Sequence, residues 1–224
     1  MRTLIITGGS FDREFAASFM AKNSYDHVIA VDNGLSYARA LGVCPDIIVG
    51  DMDTHGTGDI EEYRAKGAEV IALEPEKDDT DTERAVREAV KIGADMDILC
   101  ATGGRLDHLL ANIHNLKIAV DAGLNARIAD KCNIIFLQNK SFVIERSQCP
   151  KKYISFVTFA GEVTGIKLKG FKYPLDGYTL KPGISRCISN ELTEDKGTVC
   201  FDEGEDRCLI VINSSDNSSD IESE

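Results

Sequence analysis

The chain has 224 residues, 43% of them hydrophobic and 28% charged, with 25 Lys and Arg against 37 Asp and Glu for a formal charge of -12. This is a globular composition sufficient for one large domain or two small ones, and the acidic balance counts against a surface that wraps nucleic acid through Lys and Arg. No stretch approaches the roughly 20 apolar residues of a bilayer crossing, and Met1-Arg2-Thr3-Leu4 runs into a short apolar segment without a cleavage signal, so a cytoplasmic protein is expected.

From residue 3 to 130, short apolar runs alternate with longer segments of helical periodicity, the pattern of βαβ units. Strands are expected at 3–7, 27–31, 46–49, 69–73, 97–100 and 126–129, mostly apolar because both faces of a parallel sheet are covered. One helix is expected around Ala85, Val86, Ala89 and Val90. The clearest helix follows Gly104, where Leu106, Leu109, Leu110, Ile113 and Leu116 recur at helical spacing and predict one buried stripe. After residue 140 the pattern changes to short alternating stretches at 153–159, 162–168, 186–189, 198–201 and 207–212, separated by turn signals such as Lys181-Pro182-Gly183. The expected fold class is α/β, with an N-terminal doubly wound parallel-sheet domain over 1–135 followed by a smaller all-β sandwich domain over 140–213. Residues 214–224 hold four acids, no base and one large apolar residue, and are expected to form a disordered tail.

The seven cysteines are odd in number and contain no Cys-x-x-Cys pair, so neither a disulfide framework nor a four-thiolate zinc site is suggested. His108 and His114 are six apart and fall on different helix faces, which argues against a histidine metal pair.

In an open parallel sheet, ligands bind beyond the carboxyl ends of the strands. The segments expected there are Gly8-Gly9-Ser10, Asp32-Asn33-Gly34, Gly50-Asp51-Met52-Asp53-Thr54 and Thr102-Gly103-Gly104-Arg105-Leu106-Asp107. Asp51 and Asp53, two apart, share one face of an extended segment, where a cation offsets their repulsion, and oxygen ligands favour Mg²⁺. The same pair also reads as an exposed acidic turn after a strand. Asp78, Asp79, Asp81 and Glu83 crowd the start of a helix. Thr80 with Glu83 fits a capping box, which leaves Asp78, Asp79 and Asp81 unexplained, and one of these, Asp81 foremost, is available as a third metal carboxylate. Gly103-Gly104-Arg105 brings backbone N–H groups and a guanidinium to a helix N-terminus, an arrangement suited to phosphate oxygens, while Asp107 serves equally as a helix cap. The loop is neither a Walker loop nor a dinucleotide fingerprint. These residues support a Mg²⁺-dependent site for a phosphorylated small molecule.

Six segments in order, Val31-Asp32-Asn33-Gly34, Gly50-Asp51-Met52-Asp53-Thr54, Asp78-Asp79-Thr80-Asp81-Thr82-Glu83, Gly103-Gly104-Arg105-Leu106-Asp107-His108, Lys172-Tyr173-Pro174-Leu175 and Ile188-Ser189-Asn190-Glu191, resemble the thiamine pyrophosphokinase (thiamine diphosphokinase) family. The resemblance spans nearly everything before the tail. It implies transfer of the pyrophosphoryl group of ATP to the hydroxyl of thiamine, giving thiamine diphosphate and AMP, by a homodimer with sites between subunits. By the same resemblance Asp51, Asp53 and Asp81 hold Mg²⁺, and Asp32, Thr102, Gly103, Gly104 and Arg105 bind the nucleotide. Asp107 meets the reacting hydroxyl, and Ser189 and Asn190 bind substrate from the β-domain. The chain departs from the family at Asn33, where glycine is common, and at Thr54, where serine is usual. Eukaryotic members stack thiamine on a Trp and this chain has none, which leaves Tyr173 and Tyr178 as candidate platforms. Two other readings are a pyrophosphokinase for another small alcohol, such as a hydroxymethyl pterin, and a non-catalytic nucleotide-binding sensor module.

Overall fold

Short apolar strands alternate with helices in the first half of the computed structural model, which describes residues 1–51, 57–74, 78–204 and 207–216. Asp53 and Thr54, Lys77 and the tail beyond Asp216 lie outside the described residues. The chain divides into two compact units, Met1–Asp130 and a second beginning at Lys131.

In the first unit, β1 (Arg2–Ile6), β2 (His27–Val31), β3 (Ile47–Gly50), β4 (Glu69–Ala72), β5 (Asp95–Leu99) and β6 (Ala126–Ala129) lie in the order β4-β3-β2-β1-β5-β6. Every adjacent pair is parallel. The connections include helices α1 (Arg13–Ala21), α2 (Gly34–Ala40), α3 (Thr57–Ala65), α4 (Asp81–Ile92) and α5 (Leu106–Asp121). Leu4, Ile5 and Ile6 of β1 and Ile98 and Leu99 of β5 are buried, as central strands covered on both faces require. The six expected strands are all present, each within two residues of its predicted ends.

The expected stripe on α5 is corrected. Ile113 and Leu116 are buried, but the inward face is completed by Asn112, Asn115 and Ala119, while Leu106 is 74% and Leu110 60% exposed. The helix begins a loop beyond the end of β5, so its first turns have a cleft beside them in place of a sheet face.

The second unit contains two antiparallel sheets. β13 (Leu209–Ser214) pairs with β7 (Asn133–Gln138) and β9 (Tyr153–Thr158). β11 (Leu175–Leu180), β10 (Val163–Lys169), β12 (Lys196–Cys200) and β8 (Phe142–Glu145) form the other. One core cluster draws Ile154, Phe156, Leu209 and Val211 from the first sheet and Val163, Ile166, Leu168 and Val199 from the second, the inner faces of a sandwich. β7, β8 and β11 are additions to the expected strands. Residues 186–189, expected as a strand, form a turn and a bend. Ser189 has φ of +56°, a left-handed backbone that ends an extended run, and Ile188 N–H bonds back to the Ser185 carbonyl at 3.2 Å.

Candidate active site

The order of the parallel sheet runs outward from β1 in two directions, through β2 to β4 on one side and β5 to β6 on the other. Its topological switch point therefore lies between β1 and β5, where the connecting loops part and leave a crevice. A cleft of about 530 Å³ opens there. Its lining includes Gly8, Gly9 and Ser10 after β1, Asp32 after β2, Asp51 after β3 and the loop 100–105 after β5.

Local hydrogen bonds shape this edge. Gly9 N–H donates to the Cys100 carbonyl at 2.7 Å and Ser10 N–H to that of Thr102 at 2.9 Å, so the loops after β1 and β5 continue pairing past the strands. Thr7 Oγ1 also donates to the Cys100 carbonyl, at 2.6 Å. Gly103 has φ of +85°, and a Cβ there would overlap the Ser10 hydroxyl, so only glycine permits this approach. At Gly50 a Cβ would run into the Asp32 carboxylate, which explains a glycine between two acid-bearing strand ends.

Asp81 is the first residue of α4, and it lines the cleft with Thr82. The N-cap is Thr80, whose side chain accepts the Glu83 N–H at 3.1 Å. The Glu83 carboxylate pairs with Arg87 at 2.6 Å. The cap is thus supplied by Thr80, and the Asp81 carboxylate is not its source. Arg105, the N-cap residue of α5, makes no side-chain cap bond. Its guanidinium grips Asp107 with both forks, Nε to Oδ1 at 3.1 Å and Nη2 to Oδ2 at 2.6 Å, and both side chains are largely exposed. That bond with Arg105, assisted by His108 N–H, holds the Asp107 carboxyl down at about 2. Cys100 also lines the cleft, and burial pushes its thiol up to about 12, which keeps it a neutral, inert group.

Of the sequence-predicted residues, Asp32, Asp51, Asp81, Thr102, Gly103, Gly104 and Arg105 line one cleft, and Asp107 joins them through Arg105. Asp53 lies outside the described residues. Among the described residues no three His, Cys, Asp or Glu side chains stand together as a metal cluster. Ser189 and Asn190 belong to the second unit, on the bend before the bridge between Asn190 and Ile154. Sequence reasoning missed Asn112, buried on α5, lining the cleft and donating to the Ala101 carbonyl at 2.9 Å. Its signal was a polar residue one turn beyond His108 beside an apolar helix face.

An open parallel-sheet unit with an acidic, glycine-edged cleft at its switch point, joined in one chain to a β-sandwich, defines the class of protein. The profile described as "Thiamin pyrophosphokinase, catalytic domain" matches residues 20–129, and that described as "Thiamin pyrophosphokinase, vitamin B1 binding domain" matches residues 141–205. The chain is 34% identical over 190 residues to the thiamine pyrophosphokinase of Bacillus subtilis (strain 168), covering 84% of this chain and 87% of that one. A crystal structure of thiamine pyrophosphokinase from Bacillus subtilis superposes with a TM-score of 0.84 at 31% identity, covering 97% of this chain and all (100%) of that one. The Geobacillus thermodenitrificans protein gives 0.82 at 31% identity, covering 97% and 99%. The enzyme from Candida albicans, at 16% identity and a TM-score of 0.76 over 96% of this chain and 89% of that one, shares the fold. The chain belongs to the thiamine pyrophosphokinase family. The resemblance read from the six motifs and the expected fold class both hold.

Proposed function

We infer that this protein is an enzyme that transfers the pyrophosphoryl group of ATP to the hydroxyl of thiamine, producing thiamine diphosphate and AMP. The observation behind this reading is the family match in both units, catalytic in the first and vitamin B1 binding in the second. Neither the pterin reading nor the non-catalytic one finds comparable support.

The site residues follow as part of the same proposal. The cleft offers the carboxylates of Asp32, Asp51 and Asp81 and several hydroxyls beside one imidazole, His108, and its thiol is kept protonated by burial, so oxygen donors predominate and fit Mg²⁺. Asp51, Asp53 and Asp81 would hold the ion. When bound, Mg²⁺ supplies neutralisation of charge on the phosphate oxygens. Asp32, Thr102, Gly103, Gly104 and Arg105 bind the nucleotide, with Arg105 suited by its planar fork to take two phosphate oxygens. Asp107 orients Arg105 and faces the reacting hydroxyl. The catalytic task is chiefly to align the thiamine oxygen with the β-phosphorus and to spread developing charge. An acidic protein also draws in a thiazolium cation.

Ser189 and Asn190 serve the thiamine end. Between the two candidate platforms, Tyr173 is favoured. Both rings carry a cation, Lys172 over Tyr173 at 5.7 Å and Arg186 over Tyr178 at 5.5 Å, but Tyr173 is 56% exposed whereas Tyr178 packs against the sandwich core. The protein acts in the cytoplasm as a homodimer. Leu106 and Leu110, apolar and exposed on α5, are a surface suited to contact between copies. Purified protein with ATP, Mg²⁺ and thiamine is expected to form AMP and thiamine diphosphate in equal amounts. ADP as the nucleotide product, or turnover with a pterin alcohol and not with thiamine, refutes the reading.

A further inference from the structure

Asn190 is 3% exposed, and almost all of its side-chain polarity is spent on backbone. Its Oδ1 accepts the N–H of Tyr173 and of Glu191, each at 3.0 Å, and its Nδ2 donates to the Tyr173 carbonyl at 2.9 Å. Both acceptor positions of the carboxamide are filled, and of its two donors one is used and the other buried. The side chain thus pairs with both polar groups of one residue as a neighbouring strand would. The main chain of Asn190 is fixed in turn by β9, with Ile154 N–H donating to its carbonyl at 2.7 Å and its own N–H donating to Ile154 at 3.0 Å. Ser189, in its left-handed conformation, donates its N–H to the buried Ser155 Oγ at 3.0 Å. The pairing continues outward through Lys172 N–H to the Glu191 carbonyl at 2.9 Å and the Lys172–Glu191 ion pair at 2.8 Å. Through this lattice the backbone of Tyr173 is rigid while the residue itself is exposed, with the Lys172 ammonium 5.7 Å from its ring centroid, next to a bend whose Ile188 is 43% exposed.

We propose that Asn190 is a positioning residue that does not touch thiamine, and that it fixes the backbone of Tyr173 so that the exposed ring meets the aromatic cation. This rests on the reading above that Tyr173 is the thiamine platform. A ring pre-set by its backbone loses little freedom on binding, so the clamp appears in thiamine affinity and leaves the phosphoryl chemistry untouched.

A double-mutant cycle in the full-length enzyme separates direct from indirect action. Asn190→Ala is expected to raise KM for thiamine about tenfold, the size of one buried hydrogen-bond defect, with kcat and KM for ATP unchanged. In a Tyr173→Ala background the same substitution is expected to add nothing. A tenfold effect that persists there overturns the proposal, because Asn190 then meets thiamine itself. A Tyr173→Ala protein with unaltered KM for thiamine overturns the platform reading instead, and a protein that makes no AMP overturns the function. Because the chain has no Trp, Tyr173→Trp gives a single indole, excited apart from the remaining tyrosines, whose quenching by thiamine reads binding without turnover. In that background Asn190→Ala is expected to weaken quenching by the same factor and to increase access of iodide to the indole, and unchanged access refutes the clamp. Should Asn190→Ala fail to fold, Asn190→Asp keeps both acceptor bonds and removes the one to the Tyr173 carbonyl, and the same cycle applies.

Discussion

Asp81→Asn separates a metal carboxylate from a helix cap, because α4 already has its cap. Thr80 accepts the Glu83 N–H at 3.1 Å, and Asp81 is the next residue, on the cleft wall. Removing its charge forfeits an interaction with the positive end of α4 of about 0.3–1 kcal/mol. Glu83 remains in the first turn, and loss of one acid from a cleft shared with Asp32 and Asp51 relieves repulsion, which offsets part of that cost. The net change stays within about 1 kcal/mol, a shift of roughly 2–4 °C for a chain of this size. Turnover behaves differently. If Asp81 helps to hold the ion at the phosphates, its loss is expected to cost about a hundredfold to a thousandfold, as for other single groups that stabilise transition-state charge, and raising Mg²⁺ is expected to restore part of it. Thr80→Ala should show the opposite pattern, losing about 1 kcal/mol with the cap while keeping most of its turnover. AMP release across a Mg²⁺ titration, run beside thermal unfolding of both variants without metal, reads all four quantities. Near-wild-type turnover of Asp81→Asn at ordinary Mg²⁺ refutes the assignment.

Four further outcomes follow from the geometry. Arg105→Lys keeps the charge and loses the planar fork, so it is expected to cut turnover by about a hundredfold with an unchanged melting temperature, since the Arg105–Asp107 pair is largely exposed; full activity refutes a phosphate role. The same variant should move the Asp107 carboxyl up from about 2 toward the ordinary range in a carboxyl NMR titration. The sign is that of a depressed acid, its pairing present above that range and lost as pH falls toward 2, so an acid limb near neutrality belongs to another group. Asp97→Ala removes the centre of a buried network, where Asp97 is 0% exposed and accepts from Arg127 Nε at 2.5 Å and Tyr25 Oη at 2.7 Å. It is expected to lose about 3–5 kcal/mol in urea unfolding, and a loss under about 1 kcal/mol refutes the pairing. Iodoacetamide at neutral pH should leave Cys100 unmodified in the native enzyme, because burial, which pushes its thiol up to about 12, keeps it protonated and covered; rapid alkylation at that residue by peptide mapping contradicts it.

The proposed site residues of the first unit and those of the second differ in how far their sequence betrays them, and the difference is physical. In the first unit a proposed site position is the residue after a buried parallel strand. Asp32 follows Val31, Asp51 follows Gly50 and the loop to Arg105 follows β5, so a short apolar run and the polar residues behind it suffice to find the cleft. The misread stripe on α5 obeys the same geometry, since helical period places Leu106 and Leu110 on a face but does not say where the sheet beneath that face ends. In the second unit the decisive contacts are distant in sequence and specific to one pair of groups. Residues 186–189 alternate like a strand, yet Ser189 is turned left-handed where its N–H reaches Ser155, 34 residues away. Asn190, 17 residues from Tyr173, reads as a polar side chain in a motif, and only the fold shows that its amide is consumed by backbone. Local periodicity reports which face of an element is covered. It carries no information about which polar atoms two remote loops exchange, and a residue whose role is to hold another loop in place is therefore easily taken for one that holds the ligand.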